Sequence, residues 1–139
     1  REWPLGSRVH NFDLSPSGRF ASYTTILGER GRNGHFLIDL DSGHRTMLAA
    51  PMSLRWLPDE SALIVLPIER NKAGSFEFFY APLPWNGPSV SLTGELNHRI
   101  LMESFDWVIS PSGNMLAYRE ERTLRLRIID WSESTFPTP

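Results

Sequence analysis

The chain has 139 residues, 40% hydrophobic and 12% aromatic, with 14 basic side chains against 16 acidic ones and a net charge of −2. That apolar content suits one domain, or a piece of a larger one, and excludes a disordered chain. The near balance of charge gives no general attraction for nucleic acid or an anionic membrane surface, and the lack of cysteine removes disulfides, thiolate catalysis and Cys-ligated metal while leaving the compartment open.

No apolar run approaches the roughly 18–20 residues of a membrane span. No secretory signal pattern stands at the start, which is Arg1 and not Met. Helical periodicity is scarce, and eleven prolines with ten glycines count against long helices. Apolar residues instead fall in short runs between Gly, Pro, Ser, Asn and Asp, the pattern of strands joined by turns. In chain order the clearest runs are "HFLIDL" at 35–40, "ALIVLPI" at 62–68, "FEFFYAPL" at 76–83 and "LRLRIIDW" at 124–131. Short outer strands are predicted at "RTMLA" (45–49) and "SVSLT" (89–93). Alternation in the aromatic run puts Phe76, Phe78 and Tyr80 on one face, between repeated units, and Pro82 and Pro84 mark its end or an edge. The predicted class is all-β.

Three segments fall into register on a turn proline: "FDLSPSGRFASY" (12–23), "LRWLPDESALIV" (54–65) and "DWVISPSGNMLAY" (106–118). Leu14, Trp56 and Ile109 precede the turns, and Tyr23, Val65 and Tyr118 end the apolar stretches seven residues after each proline. Each unit then has a third strand with a related tail, "FLIDLDSG", "FYAPLPWNG" and "RIIDWSES". Ser15 and Ser110 offer a hydroxyl to the backbone, Pro16 and Pro111 pre-set φ, and Gly18 and Gly113 supply the left-handed residue that follows a type I turn. The middle copy keeps Pro58 and Asp59 but has Glu60 at the glycine position, at a cost of about 1–2 kcal/mol. A turn of different type is therefore expected there. A Ser-Pro-Ser-Gly turn could recur in any sandwich, but matching offsets on both sides of three turns favour a true repeat. The units run approximately 9–50, 51–101 and 102–139.

These units resemble the WD-like (Pro-Asp type) repeat of TolB-type β-propellers: a Trp-Ser-Pro-Asp-Gly-Lys turn, an apolar triplet, a further strand, then Asp-Leu-Asp-Gly-Gly and Leu-Thr. "LSPSGRFASY … FLIDLDSGHRTML" (14–48) follows it most fully. The departures are Ser at 17 and 112, Glu60, and "YAPLPWNG" in place of the acidic tail. The resemblance implies about three four-stranded antiparallel blades of a partial propeller. The third is incomplete, because "STFPTP" (134–139) makes a poor outer strand; "EWPLGSRV" (2–9) could supply one to a neighbour. A closed ring takes about four to eight blades. Further blades, or self-association, are thus expected partners, together with a protein ligand. The resemblance also implies a non-catalytic interaction scaffold in a periplasmic or extracellular setting. The alternatives are the substrate-gating propeller of a prolyl-oligopeptidase-type peptidase and the sensor propeller of a signalling protein.

Nothing in the sequence calls for a catalytic group, a metal or a cofactor. His10, His35, His44 and His98 have no metal-ligand spacing and read as solvated or capping groups. No nucleophile elbow, H-E-x-x-H or P-loop is present. "GERGRNG" (28–34) reads as a strand connection, its spacing matching neither phosphate-binding motif. Asp13 and Asp106, before the first and third turns, could line a channel or brace loops. "RTLRLRI" (122–128) alternates, with Leu124, Leu126 and Ile128 on one face and Arg125 and Arg127 on the other. The two arginines are a possible site for an acidic partner, or a solvated strand side that discourages edge pairing.

Overall fold

The structure, a computed structural model, describes residues 2, 9–25, 34–48, 52–67, 72, 76–83, 89–93, 107–120 and 124–132. Within them the chain forms β1 (Val9–Leu14), β2 (Phe20–Thr25), β3 (Gly34–Asp39), β4 (Arg45–Leu48), β5 (Met52–Trp56), β6 (Ala62–Pro67), β7 (Phe79–Pro82), β8 (Val90–Ser91), β9 (Trp107–Ile109), β10 (Met115–Arg119) and β11 (Leu126–Asp130). They make three antiparallel meanders, β1-β2-β3-β4, β5-β6-β7-β8 and β9-β10-β11. No helix occurs among the described residues. The expected all-β class, with antiparallel blades of four, four and, among the described residues, three strands, is what the structure shows. The chain divides into two compact units, Arg1–Met52 with the first sheet and Ser53–Pro139 with the other two.

The first-to-second-strand turns have one geometry. In the first, Gly18 N–H donates to Ser15 O (2.8 Å) and Ser15 N–H to Phe20 O (2.9 Å); in the third, Gly113 N–H donates to Ser110 O and Ser110 N–H to Met115 O, both at 2.9 Å. The serine hydroxyls accept from the first residue of the next strand, Phe20 N–H and Met115 N–H, each at 3.1 Å. The different turn type expected at Glu60 is not found. Glu60 N–H donates to Leu57 O and Leu57 N–H to Ala62 O, both at 3.0 Å, and Glu60 takes φ 59°, against 75° at Gly18 and Gly113. The hairpin register holds the fourth turn residue left-handed whatever its side chain, so the sequence departure appears as strain and not as a new turn. Leu57, with no hydroxyl to offer, buries its side chain instead. One of the serines that replace aspartate keeps the aspartate's role: Asp59 Oδ1 accepts from Ser61 N–H (3.0 Å), and Ser17 Oγ accepts from Arg19 N–H (3.2 Å), whereas Ser112 bonds the side chains of Ser110 and Asn114.

In the Ser53–Pro139 unit, β6 buries Ala62, Leu63, Ile64, Val65 and Leu66 in succession. A run buried on both faces belongs to a sheet covered on both sides. One face of this sheet meets the third sheet in a single core of Leu57, Ala62, Ile64, Leu66, Phe76, Phe78, Trp107, Leu116, Tyr118 and Trp131. The expected face of Phe76, Phe78 and Tyr80 lies there, with Tyr80 at its margin. The strand itself begins only at Phe79. Phe78 is tied instead by its N–H to Thr93 Oγ1 (2.8 Å) and by its carbonyl to Leu92 N–H (2.7 Å). Pro82 ends β7, as expected, and β8 is shorter than the predicted 89–93.

In the Arg1–Met52 unit, β2 and β3 pair from Phe20↔Asp39 to Thr25↔Gly34. Tyr23 stacks on Phe36, with centroids 5.4 Å apart. The tail after β3 closes around Asp39, whose Oδ1 accepts from Asp41 N–H (2.9 Å) and Ser42 N–H (3.1 Å). Those donors, with Arg19 at 3.3 Å, hold the Asp39 carboxyl below the usual range. Asp130, bonded by the Ser132 hydroxyl and by Ser132 N–H, is lowered in the same way. The register of β1 against β2 slips by one residue between His10 and Asp13, a bulge centred on Asn11–Phe12.

Two measurements test the turns. Glu60→Gly is expected to raise unfolding stability by about 0.5–1 kcal/mol in urea titration, strain relief outweighing the added freedom of the unfolded chain. Gly113→Ala is expected to cost more than Gly18→Ala, because a Cβ at 113 would lie 3.0 Å from Pro58 Cδ whereas one at 18 meets nothing within 4 Å. A third concerns pH. Carboxylates whose folded pKa is depressed contribute stability above their unfolded value and lose it as pH falls through the folded one. Melting temperature should therefore drop below about pH 4, and the doubly substituted Asp39→Asn, Asp130→Asn chain should show a shallower drop.

Candidate interaction surface

The junction between the second and third sheets is built around Trp107. Its ring lies 5.1 Å from Phe78, and Tyr118 lies 5.5 Å from Phe78, both pairs tilted. The indole N–H donates to Ser53 Oγ (3.3 Å). Arg55 donates through Nε to the Trp107 carbonyl (3.3 Å), its guanidinium carbon 5.1 Å from the Trp107 ring. Aromatic burial with a satisfied polar handle gives a blade contact both area and register.

The third sheet has two unlike faces. Register pairs Leu116 with Ile109 and Ile129, and Tyr118 with Trp107 and Arg127; this front face meets the second sheet. It pairs Ala117 with Val108 and Ile128, and Arg119 with Leu126; this back face carries Val108 (56% exposed), Ile128 (64%) and Leu126 (72%). Counted from the turn prolines, Met115, Ala117 and Arg119 stand where Ala62, Ile64 and Leu66 stand in the second sheet. Ile128 stands across from Ala117 as Tyr80 does from Ile64, and Leu126, two residues earlier, takes the place of Phe78. Leu126 thus stands in water where Phe78 is buried, and Met115 is exposed where Ala62 is buried, while Ala117 and Arg119 are half-buried where Ile64 and Leu66 are fully so. In the first sheet Phe12, also 72% exposed, and Leu14 occupy the sequence positions of Trp107 and Ile109. Phe12 lies in the β1 bulge. No cluster of these exposed residues was singled out from the sequence, although the register of the three units, laid side by side, contains it.

Among the predicted residues, Ser15, Pro16, Gly18, Pro58, Asp59, Ser110, Pro111 and Gly113 all lie in the three turns. Arg125 and Arg127 do not form a matched pair. Arg127 donates to Glu120 Oε2 through Nε (2.9 Å), with a terminal nitrogen at 2.8 Å. Glu120 is buried and Arg127 nearly half exposed. Arg125 is exposed, and its carbonyl accepts from Glu120 N–H (2.9 Å). Burial pushes the Tyr118 hydroxyl up to about 12, with Arg127 lowering and Glu120 raising it. His35 is neither solvated nor capping: it is buried on an inward side of β3, with Nδ1 3.0 Å from Thr24 Oγ1. His44 is exposed. Asp13 is exposed, and its Oδ1 accepts from Leu14 N–H (2.9 Å). Asp106, His98, the side chain of His10, Pro84, residues 28–33, the segments 3–8 and 134–139, and Ala49 lie outside the described residues. No group of three or more His, Cys, Asp or Glu arranged to hold a metal occurs among the described residues.

Arg127→Ala, which strands a buried carboxylate, is expected to cost about 1–3 kcal/mol in chemical denaturation. Arg125→Ala should stay within about 0.5 kcal/mol of wild type. For Tyr118 the folded pKa exceeds the unfolded value, so its contribution is complete below pH 10 and lost as pH rises toward about 12. Tyr118→Phe should blunt alkaline unfolding in that window.

No protein-family model matches the chain, and no curated protein matches it in sequence. Solved structures do. A TolB candidate from Agrobacterium tumefaciens superposes with a TM-score of 0.68 at 18% identity, over 96% of this chain and 47% of that one. TolB from Acinetobacter baumannii superposes with a TM-score of 0.53 at 17% identity, over 91% of this chain and 32% of that one. The chain thus spans about half the length of the first and a third of the second. These likenesses establish the fold, that of a segment of a TolB-type β-propeller.

Proposed function

We propose that the chain is a non-catalytic β-propeller segment that works as a protein-interaction scaffold. The observation that carries this reading is the back face of the third sheet, where Val108, Leu126 and Ile128 stand in water at positions whose counterparts in the second sheet lie in or against the core. Exposed apolar surface grouped on one face marks an interaction site more than scattered apolar residues do. Likeness to TolB structures supports the same class of role, and a periplasmic or extracellular place goes with it. The alternatives differ in what is attached. A substrate-gating propeller stands beside a hydrolase domain with a nucleophile-elbow serine, whereas a sensor propeller stands beside a signalling or DNA-binding domain.

The test is site-specific photocrosslinking from position 128 in cells, with exposed Asp41 in the first-sheet tail as control position. Discrete protein adducts from 128 and none from 41 are the expected result. A parent reading frame that continues into a hydrolase domain would replace the scaffold with the gate.

A further inference from the structure

We infer that the open back face of the third sheet receives a second copy of this chain, head to tail, through the Phe12–Leu14 edge of that copy's first sheet. The proposal rests on reading the back face as a protein-binding surface and names its occupant.

The second and third sheets meet in the Ser53–Pro139 unit. There a second-sheet back face takes an aromatic from the first strand of the next sheet: Trp107 lies against Phe78, with Arg55 over its ring. The same register carried one sheet further puts Leu126 in the place of Phe78 and Val108 in the place of Arg55. Both are largely exposed. That seat is lined by Val108, Leu126 and Ile128, with Arg119 across the ladder from Leu126 and no aromatic among the described residues of the face, so it suits a first-strand aromatic that has no N–H to satisfy. The chain carries such a group: Phe12, at the Trp107 position, followed two residues later by Leu14 at the Ile109 position, and both stand in water. Phe12 lies where the β1–β2 register slips and is 72% exposed. Tyr23 and Ile38, at the Tyr118 and Ile129 positions, are already buried, so the contact runs along β1 and not over the whole sheet.

Each chain therefore carries both halves of one contact. Two unlike patches that fit each other make a heterologous interface, which closes into a ring or continues as a chain of copies. The seat also accounts for the exposed side of β11. Among the described residues β11 is an edge strand; one that presents Leu126 and Ile128 to water is an aggregation hazard, and a copy seated there removes both from solvent.

The test is molecular mass in solution, by sedimentation velocity over a hundredfold range of concentration, starting from the 15.9 kDa single chain. The wild-type chain should shift to two or more copies as concentration rises. Phe12→Glu and Leu126→Glu should each weaken association at least tenfold. Each variant keeps one intact half, so an equimolar mixture of the two should recover a two-chain complex that neither forms alone. Circular dichroism melts establish that both are folded; if either is not, Phe12→Ser or Leu126→Ser replaces it. A wild-type chain that stays single throughout, or a mixture that stays single, would overturn the proposal. Crosslinks from position 128 to a different protein, with the chain single in solution, would leave the scaffold standing and sink the self-assembly.

Discussion

Between Ala62 and Leu66 the chain places five consecutive side chains out of water. On a strand, consecutive residues point to opposite faces, so this stretch requires cover on two sides at once. A sheet with one solvated face would expose Leu63 and Val65, or else Ala62, Ile64 and Leu66. Burying a side chain of that size contributes about 1.5–3 kcal/mol, and neither set can be left in water without a large loss. The Phe78–Trp107–Tyr118 cluster supplies the cover on one side. Stacked sheets follow from that need for cover, and the turns, tails and short connections serve to bring each next strand back in register.

The fold was largely legible because its signals are local. Turn proline, left-handed fourth residue and apolar triplet are read from ten or so residues, and each is fixed by backbone geometry. The middle turn shows where such reading stops. Glu60 looks wrong for the position, and the expected response was another turn type. The ladder on either side instead holds the turn in place, and Glu60 takes the strained φ. Tertiary context overrides a local preference when the cost is about a kilocalorie and the strands it would misalign are worth several.

The candidate surface was less legible. Alternation in "RTLRLRI" separates the arginines from the aliphatic residues correctly, but periodicity does not say which side has a neighbour. By the usual rule the arginine side would be the wet one. In the structure the leucine and isoleucine side is at least as exposed, while Arg127 is committed to buried Glu120. The pairing of 120 with 127 depends on the hairpin between β10 and β11, and nothing in either residue's own neighbourhood signals it. Likewise, only the register of three sheets together shows that Leu126 and Phe78 are equivalent.

The placement of Trp107 has an optical consequence. Of the five tryptophans, Trp56, Trp85, Trp107 and Trp131 belong to the Ser53–Pro139 unit, and Trp3 alone to the other. Trp56, Trp107 and Trp131 are buried, and Trp107 has a guanidinium against its ring. Intrinsic emission of this protein is therefore weighted toward one unit, while backbone dichroism sums over both. Comparing the two signals along an unfolding curve therefore follows the Ser53–Pro139 unit against the whole chain without a label.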